Sequence, residues 1–225
     1  MRTWPMLWRL RLRLLRHDLA SDLRRHRDVV IILLSLLPFG VEFVGWPFAA
    51  IGRVTAHSVA PALIGMALLA AGAASWAHAF RRSLGGGGFY GYLRCLPIPR
   101  AELRRLDTLV LLIANFPLCA SLGSGIVQSP GCSASDHGCM SLYGLRIAFA
   151  FGVCLLVQIA MLRRARDSVA MTVAACAWLL TTLWVQSRTP AIALTCAGVV
   201  FCIAVLSGQR PWSRRSSRPT GGEAT

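Results

Sequence analysis

Apolar runs long enough to cross a lipid bilayer dominate this sequence. A transmembrane helix needs about 20 mostly apolar residues, because each adds about 1.5 Å against a hydrocarbon core about 30 Å thick. Six runs meet or approach that length, at residues 29–50, 57–80, 108–127, 143–162, 168–187 and 190–207. With 55% hydrophobic and only 15% charged residues, the chain has too little polar surface for a globular domain in water. The sequence predicts an all-α, polytopic membrane protein with six transmembrane helices.

The arginines predict how the chain is oriented. No lysine is present, and all 24 basic residues are arginine. If the N-terminus is cytoplasmic, 21 of them fall on the cytoplasmic side, and Arg53, Arg146 and Arg188 are left for the other side. Because basic residues concentrate in cytoplasmic loops, this split predicts that both termini are cytoplasmic in a bacterial inner (plasma) membrane. The net charge of +15 is then explained by topology, and we predict no nucleic-acid partner.

The chain divides into three predicted regions. Residues 1–28 place Trp4, Trp8 and several leucines on one helical face, with Arg9, Arg13 and Arg16 pointing away and Arg11 among the apolar residues, which is typical of a basic amphipathic helix on anionic lipid. A topogenic basic leader is the alternative. Residues 29–207 form the six-helix domain, with a cytoplasmic loop at 81–107 and an outer loop at 128–142. The tail at 208–225, rich in Arg, Ser, Pro and Gly, is predicted to be disordered.

The cytoplasmic loop is the most informative segment. Four glycines at 85–88 disfavour a helix and indicate a hinge or loop. A nucleotide-binding P-loop requires a lysine, which the chain lacks, so we expect no ATPase site of that type. Pro97 ends the preceding element, and Pro99 suits the first turn of a short helix over 100–106.

The segment Leu-Pro-Ile-Pro-Arg-Ala-Glu-Leu at 96–103 resembles the loop after the second span of ABC-2-type exporter permeases. Pro99 stands where the family more often has serine. The resemblance implies a coupling helix that rests in a cleft of a separate ABC ATPase subunit, and a permease that works as a homodimer or with a second permease, without a cofactor. The residues implied to contact the ATPase are Leu96, Pro97, Ile98, Pro99, Arg100, Glu102, Leu103 and Arg104. The alternative is a non-transporting scaffold or assembly protein that uses this basic loop for docking.

Polar residues inside the apolar runs are further candidates. Glu42 lies about 20 Å along the first run, where a carboxylate is a functional candidate by default. Its candidate partners by depth are Arg53, His57 and Arg146. If the first span instead ends near Val44, Glu42 lies at the outer interface. Separately, Asn115 and Gln158 are candidates for hydrogen bonds between helices.

The outer loop holds two cysteines, Cys132 and Cys139, which we predict to form a disulfide in an oxidising compartment. A metal site with Asp136 and His137 is the alternative, but the spacing fits no standard zinc pattern. We find no paired carboxylates, metal cluster or phosphate cradle, and therefore predict neither a catalytic residue nor a metal site.

Overall fold

The computed structural model describes residues 41–53, 59–81, 108–128, 136–163, 166–185 and 187–207, together with Leu84 and scattered positions between 9 and 31. The described residues are helical, apart from short turns, and include no strand. The principal helices are α1 (Val41–Gly52), α2 (Val59–Ala79), α3 (Phe116–Val127), α4 (His137–Arg163), α5 (Arg166–Trp184) and α6 (Arg188–Leu206).

Four of these helices, α2, α4, α5 and α6, are long and apolar enough to cross a membrane. The short helix Thr108–Ala114 and the segment Leu118–Val127 of α3 pass the same test as a pair, bent by 68° at the break between them. The described residues therefore support an all-helical, multi-pass membrane protein with four spans, or five if the bent pair is one span. The first predicted span is described only from Val41, as the 12-residue α1 with Pro47 inside it.

Two predicted boundaries differ from the observed helices. The third apolar run, 108–127, is not one straight helix but breaks at Asn115. The fourth begins earlier than its apolar residues do, at His137, because Asp136 accepts a hydrogen bond from the backbone N–H of Cys139 at 3.1 Å and so caps the helix. The last two runs form separate full-length helices, which pack against each other as a hairpin.

The central helix of the bundle is α4, which contacts every other principal helix. Its apolar residues are mostly buried, among them Ile147, Phe149 and Val153. The other spans instead expose large apolar side chains, such as Ile64, Val173 and Val200, on their outer faces. Such faces suit contact with lipid tails, which are as apolar as the side chains themselves. The bundle is therefore organised around α4, with lipid-facing helices on its periphery.

Candidate functional site: the broken third run and its two anchors

The break in the third run is built by Asn115 and Pro117. Proline has no N–H, so Pro117 cannot donate to the carbonyl of Ile113, four residues earlier. The N–H of Asn115 is shared between the carbonyl oxygens of Leu111 at 3.0 Å and Leu112 at 3.3 Å, and the chain then starts α3, with Cys119 N–H donating to the Asn115 carbonyl at 2.9 Å. The missing N–H of Pro117 thus interrupts the helical ladder at this point of the third run.

A pair of buried amides closes this break against α4. The Asn115 Nδ2 donates to the Gln158 Oε1 at 2.6 Å, and the Gln158 Nε2 donates back to the Asn115 Oδ1 at 2.7 Å. The Asn115 amide also donates to the Leu111 carbonyl at 2.8 Å. Both side chains are 1% exposed. The expectation that these residues hydrogen-bond between helices is confirmed, and they do so with each other.

Before the break, the chain is held by an apolar group that we call the Leu111 cluster, formed by Phe80, Leu84, Leu111, Ala114 and Leu155. All five side chains are buried. The cluster joins the residues that follow α2, the helix Thr108–Ala114 and the second half of α4. Thr108 adds a polar contact there, because its hydroxyl donates to the carbonyl of Leu206 at the end of α6, at 3.1 Å.

After the break, the backbone of α3 packs closely against that of α1 at Gly45 and Gly125, and we call this pair of residues the glycine contact. A Cβ atom on Gly45 would lie 2.7 Å from the backbone nitrogen of Gly125. A Cβ atom on Gly125 would lie 2.7 Å from the Cβ of Phe48. Real Cβ atoms essentially never approach other atoms so closely. The contact of α1 with α3 therefore depends on glycine at both positions.

Tyr143 ties the glycine contact to α4. Its single hydroxyl proton is shared between the carbonyl oxygens of Gly125 and, at 2.8 Å, Gln128, which lie at the end of α3. Its ring fills the space that a side chain on Gly52 would occupy. Arg53 lies beside the same hydroxyl. This tyrosine was not singled out in the sequence, because nothing in its local pattern separates it from an ordinary interfacial aromatic residue.

Arg146 is a second residue whose position only the structure reveals. Counted by sequence among the outer arginines, it is instead 4% exposed inside α4 and donates to the carbonyl of Thr182 on α5 at 3.2 Å. Arginine is costly at membrane depth and there usually faces the protein interior, as it does here.

At the start of α4 and α6, Asp136 and Arg188 form an ion pair. The Arg188 Nη1 lies 2.8 Å from one carboxylate oxygen of Asp136 and 3.0 Å from the other. The pKa of Asp136 lies below its usual value, chiefly because its carboxylate accepts the hydrogen bond from Cys139, with a further contribution from the Arg188 charge. The pair joins the ends of two spans outside the apolar region.

Several predicted site residues fall outside the described part of the chain. These are the implied ATPase contacts Leu96, Pro97, Ile98, Pro99, Arg100, Glu102, Leu103 and Arg104, and also Cys132. The backbone of Glu42 belongs to α1, but its side chain is likewise not described. Cys139 is disulfide-bonded. Its pairing with Cys132 stays a prediction, because the partner lies outside the described residues.

At the break, the described residues join the third run to α4 through hydrogen bonds and bend the chain. Within the described ranges, no group of three or more His, Cys, Asp or Glu side chains could hold a metal ion. Comparison of the chain with protein-family models, with curated proteins and with solved structures finds no match.

Proposed function

We propose that this chain is the membrane-spanning permease subunit of an ATP-driven, ABC-2-like exporter in a bacterial inner membrane. In this proposal it has six spans with both termini in the cytoplasm, and it pairs with a second copy or a second permease. A separate ATPase subunit hydrolyses ATP and docks on the loop segment 96–106.

The observation that carries the proposal is that residues at both ends of the cytoplasmic loop pack into the Leu111 cluster. Leu84, which precedes the loop's glycines, and Leu111, which follows the loop by one helical turn, are both buried in that cluster. A loop that transmits force needs rigid attachment at both ends, and buried, mutually packed side chains supply it.

The path from this loop into the membrane is short. Thr108 begins the helix that follows the loop and is bonded to the end of α6. That helix ends at Asn115, which is bonded to α4 through Gln158. In the proposed mechanism, closure of the ATPase subunits displaces the 96–106 segment, and the helix Thr108–Ala114 carries that displacement to the break in the third span.

The test is co-purification of the tagged, full-length chain from its native membrane in mild detergent. We compare the wild type with a variant whose six residues from Pro97 to Glu102 are replaced by Gly and Ser. A matched control replaces the six residues from Arg210 to Arg215, which lie on the same predicted side and include more arginines. We expect an ATPase that contains a P-loop to co-purify with the wild type and the control but not with the loop variant.

Two results would count against the proposal. If no ATPase co-purifies with a folded wild-type chain, the exporter assignment fails, and the scaffold or assembly protein replaces it. If an ATPase is lost equally from the loop variant and the tail control, binding depends on general basic charge and not on a coupling helix. Reporter fusions at the two termini test the predicted cytoplasmic orientation separately.

A further inference from the structure

We infer that five arginines of the N-terminal region form one helical face that binds the headgroup phosphates of anionic phospholipids. We call this face the arginine stripe, and it consists of Arg9, Arg13, Arg16, Arg24 and Arg27. The inference concerns the chain alone and does not depend on an ATPase partner.

The first argument is the spacing of the arginine stripe. Every described position from 9 to 27 is helical, and so is Ile31 inside the first apolar run. The five arginines follow each other at steps of four, three, eight and three residues. Because an α-helix turns by 100° per residue, these steps keep all five within about 80° of one another, over a length of about 27 Å. A basic leader that only sets topology requires charge but no common face, so the spacing favours a binding surface.

The second argument is that the arginine stripe is exposed and that no described carboxylate neutralises it. All five side chains are exposed. Among the described residues, no carboxylate forms an ion pair with the stripe, and the carboxylate of Asp18 instead lies 3.7 Å from His17 Nδ1. Like charges three and four residues apart repel each other along a helix. A ligand that carries several negative charges would therefore stabilise the stripe.

The third argument is the location of the arginine stripe, which favours the membrane as the source of those charges. Arg27 lies two residues before the first apolar run, which begins at residue 29, so the stripe stays close to the membrane surface. The partly buried Leu12 follows Arg9 by three residues and precedes Arg16 by four, and therefore borders the stripe. Apolar residues beside basic ones suit a helix at the boundary between headgroups and acyl chains.

Arginine is also the side chain that suits this ligand. Its planar guanidinium presents N–H donors in a fork that fits two phosphate oxygens at once. In the stripe, the Nε of Arg24 donates to the carbonyl of Ala20 at 3.3 Å, which leaves the Nη groups of that guanidinium to a ligand. Anionic phospholipids offer many phosphates in one plane, and a row of arginines can bind several of them together.

The experiment follows a spin label at Ser21 in the full-length chain in lipid nanodiscs. Ser21 is exposed and lies at least about 60° around the helix from the arginine stripe. The label is attached to a non-canonical amino acid, because the chain has eight cysteines. The ratio of immobilised to mobile spectral components measures how much of the helix is bound to the membrane. We expect this ratio to be higher in equal parts of phosphatidylcholine and phosphatidylglycerol than in phosphatidylcholine alone, and to fall as salt screens the charges.

The deciding variant is Arg9→Gln with Arg16→Gln, which removes two charges from the arginine stripe. Each arginine at an anionic surface contributes about fivefold to binding, so the ratio in phosphatidylglycerol nanodiscs should fall about 25-fold. The matched control is Arg11→Gln with Arg25→Gln, which removes the same charge from the same segment. The sequence spacing places both control positions at least about 100° from every arginine of the stripe. We expect a clearly smaller loss in the control, because salt screens charges that lie further from the headgroups.

Three results would overturn the inference. A wild-type ratio that does not respond to phosphatidylglycerol would show that the arginine stripe does not bind anionic lipid. Equal losses in the variant and the control would show that total charge, and not one helical face, sets the binding. If added poly(A) RNA immobilises the label in phosphatidylcholine nanodiscs while phosphatidylglycerol does not, the stripe binds nucleic acid and not lipid.

The label reports on lipid contact, and co-purification reports on the ATPase, so failure of this inference and failure of the transport proposal are distinguishable. A lipid-binding stripe in a chain that has no ATPase partner would show the phosphatidylglycerol response without a co-purifying ATPase. An exporter subunit that lacks this lipid contact would show the reverse.

Discussion

The Leu111 cluster and the glycine contact hold the two halves of the broken third run, and they do so by different physical means. In the cluster, apolar side chains from the residues that follow α2, from the helix Thr108–Ala114 and from α4 fill the space between the helices. In the glycine contact, two backbones approach so closely that no side chain fits between them. The cluster depends on large side chains that fill the space between helices. The glycine contact depends on the lack of a side chain at two positions.

This difference matters more in a membrane than in water. Lipid tails are as apolar as leucine, so burial of apolar surface between helices gains little by itself, and close packing and hydrogen bonds decide helix association. We therefore expect the glycine contact to be the more sensitive of the two regions to a single added methyl group. We expect the amide pair to be less sensitive than either region, and the exposed ion pair to be the least sensitive.

The largest effect is expected from Gly125→Ala. Its new Cβ would lie 2.7 Å from the Cβ of Phe48, and overpacking of this kind costs about 3 kcal/mol when the neighbours cannot move away. Denaturant titration in mixed micelles measures the free energy of unfolding. The matched control is Gly123→Ala on the same helix, where a Cβ meets nothing within 4 Å and no loss is expected. Equal losses in both variants would show that the close approach at Gly125 is not their cause, since the higher helix propensity of alanine would by itself favour both substitutions.

A smaller loss is expected from Leu111→Ala, which leaves a cavity in the Leu111 cluster. Such truncations cost about 2–5 kcal/mol in soluble proteins. We expect about 2 kcal/mol here, because a leucine that leaves the cluster would meet lipid and not water, so that the cavity accounts for most of the loss. The control is Ile113→Ala, two residues further along the same helix but 51% exposed. An equal loss at Ile113 would show that the cluster is not specifically packed.

The amide pair should show coupling when the two residues are changed together. Asn115→Leu or Gln158→Leu alone leaves one buried amide without its partner, at a cost of about 1–2 kcal/mol in the free energy of unfolding. The double variant removes both polar groups and should lose less than the sum of the two single losses. Strict additivity in this double-mutant cycle would show that the two amides do not interact in the bilayer.

The smallest effect is expected at the exposed Asp136–Arg188 pair, and it should depend on pH. Because the pKa of Asp136 is lowered in the folded protein, the charged carboxylate stabilises the fold above its unfolded pKa of about 3.9, and this contribution is lost as the pH falls through the lower folded value. Asp136→Asn keeps a side-chain oxygen to cap α4 but removes the charge. The melting temperatures of the variant and the wild type should therefore differ at neutral pH and converge in strong acid; a difference that persists there would show that the charge is not its cause.

Much of the architecture could be predicted from the sequence, because the bilayer permits few solutions. A run of apolar residues such as 143–162 has to form a helix, since a helix satisfies its own backbone hydrogen bonds where no water is available. The sequence likewise marked Asn115 and Gln158 as candidates for hydrogen bonds between helices. The bend of the third run was not predicted, although Pro117 is visible in the sequence, because prolines are also tolerated in straight spans when neighbouring groups satisfy the freed carbonyl.

The sequence alone determined that the chain is helical, apolar along several runs and basic at their ends, because these properties follow from composition and order. The tertiary structure decided which groups meet. Gln158 lies 43 positions from Asn115, and Gly125 lies 80 positions from Gly45, so no local pattern could pair them. It also decided that Arg146 is buried rather than exposed, because the orientation of one helical face depends on which neighbours pack against it. Which helices contact each other, and which face of a helix is buried, are set by helix packing, and the short-range periodicity of the sequence does not encode them.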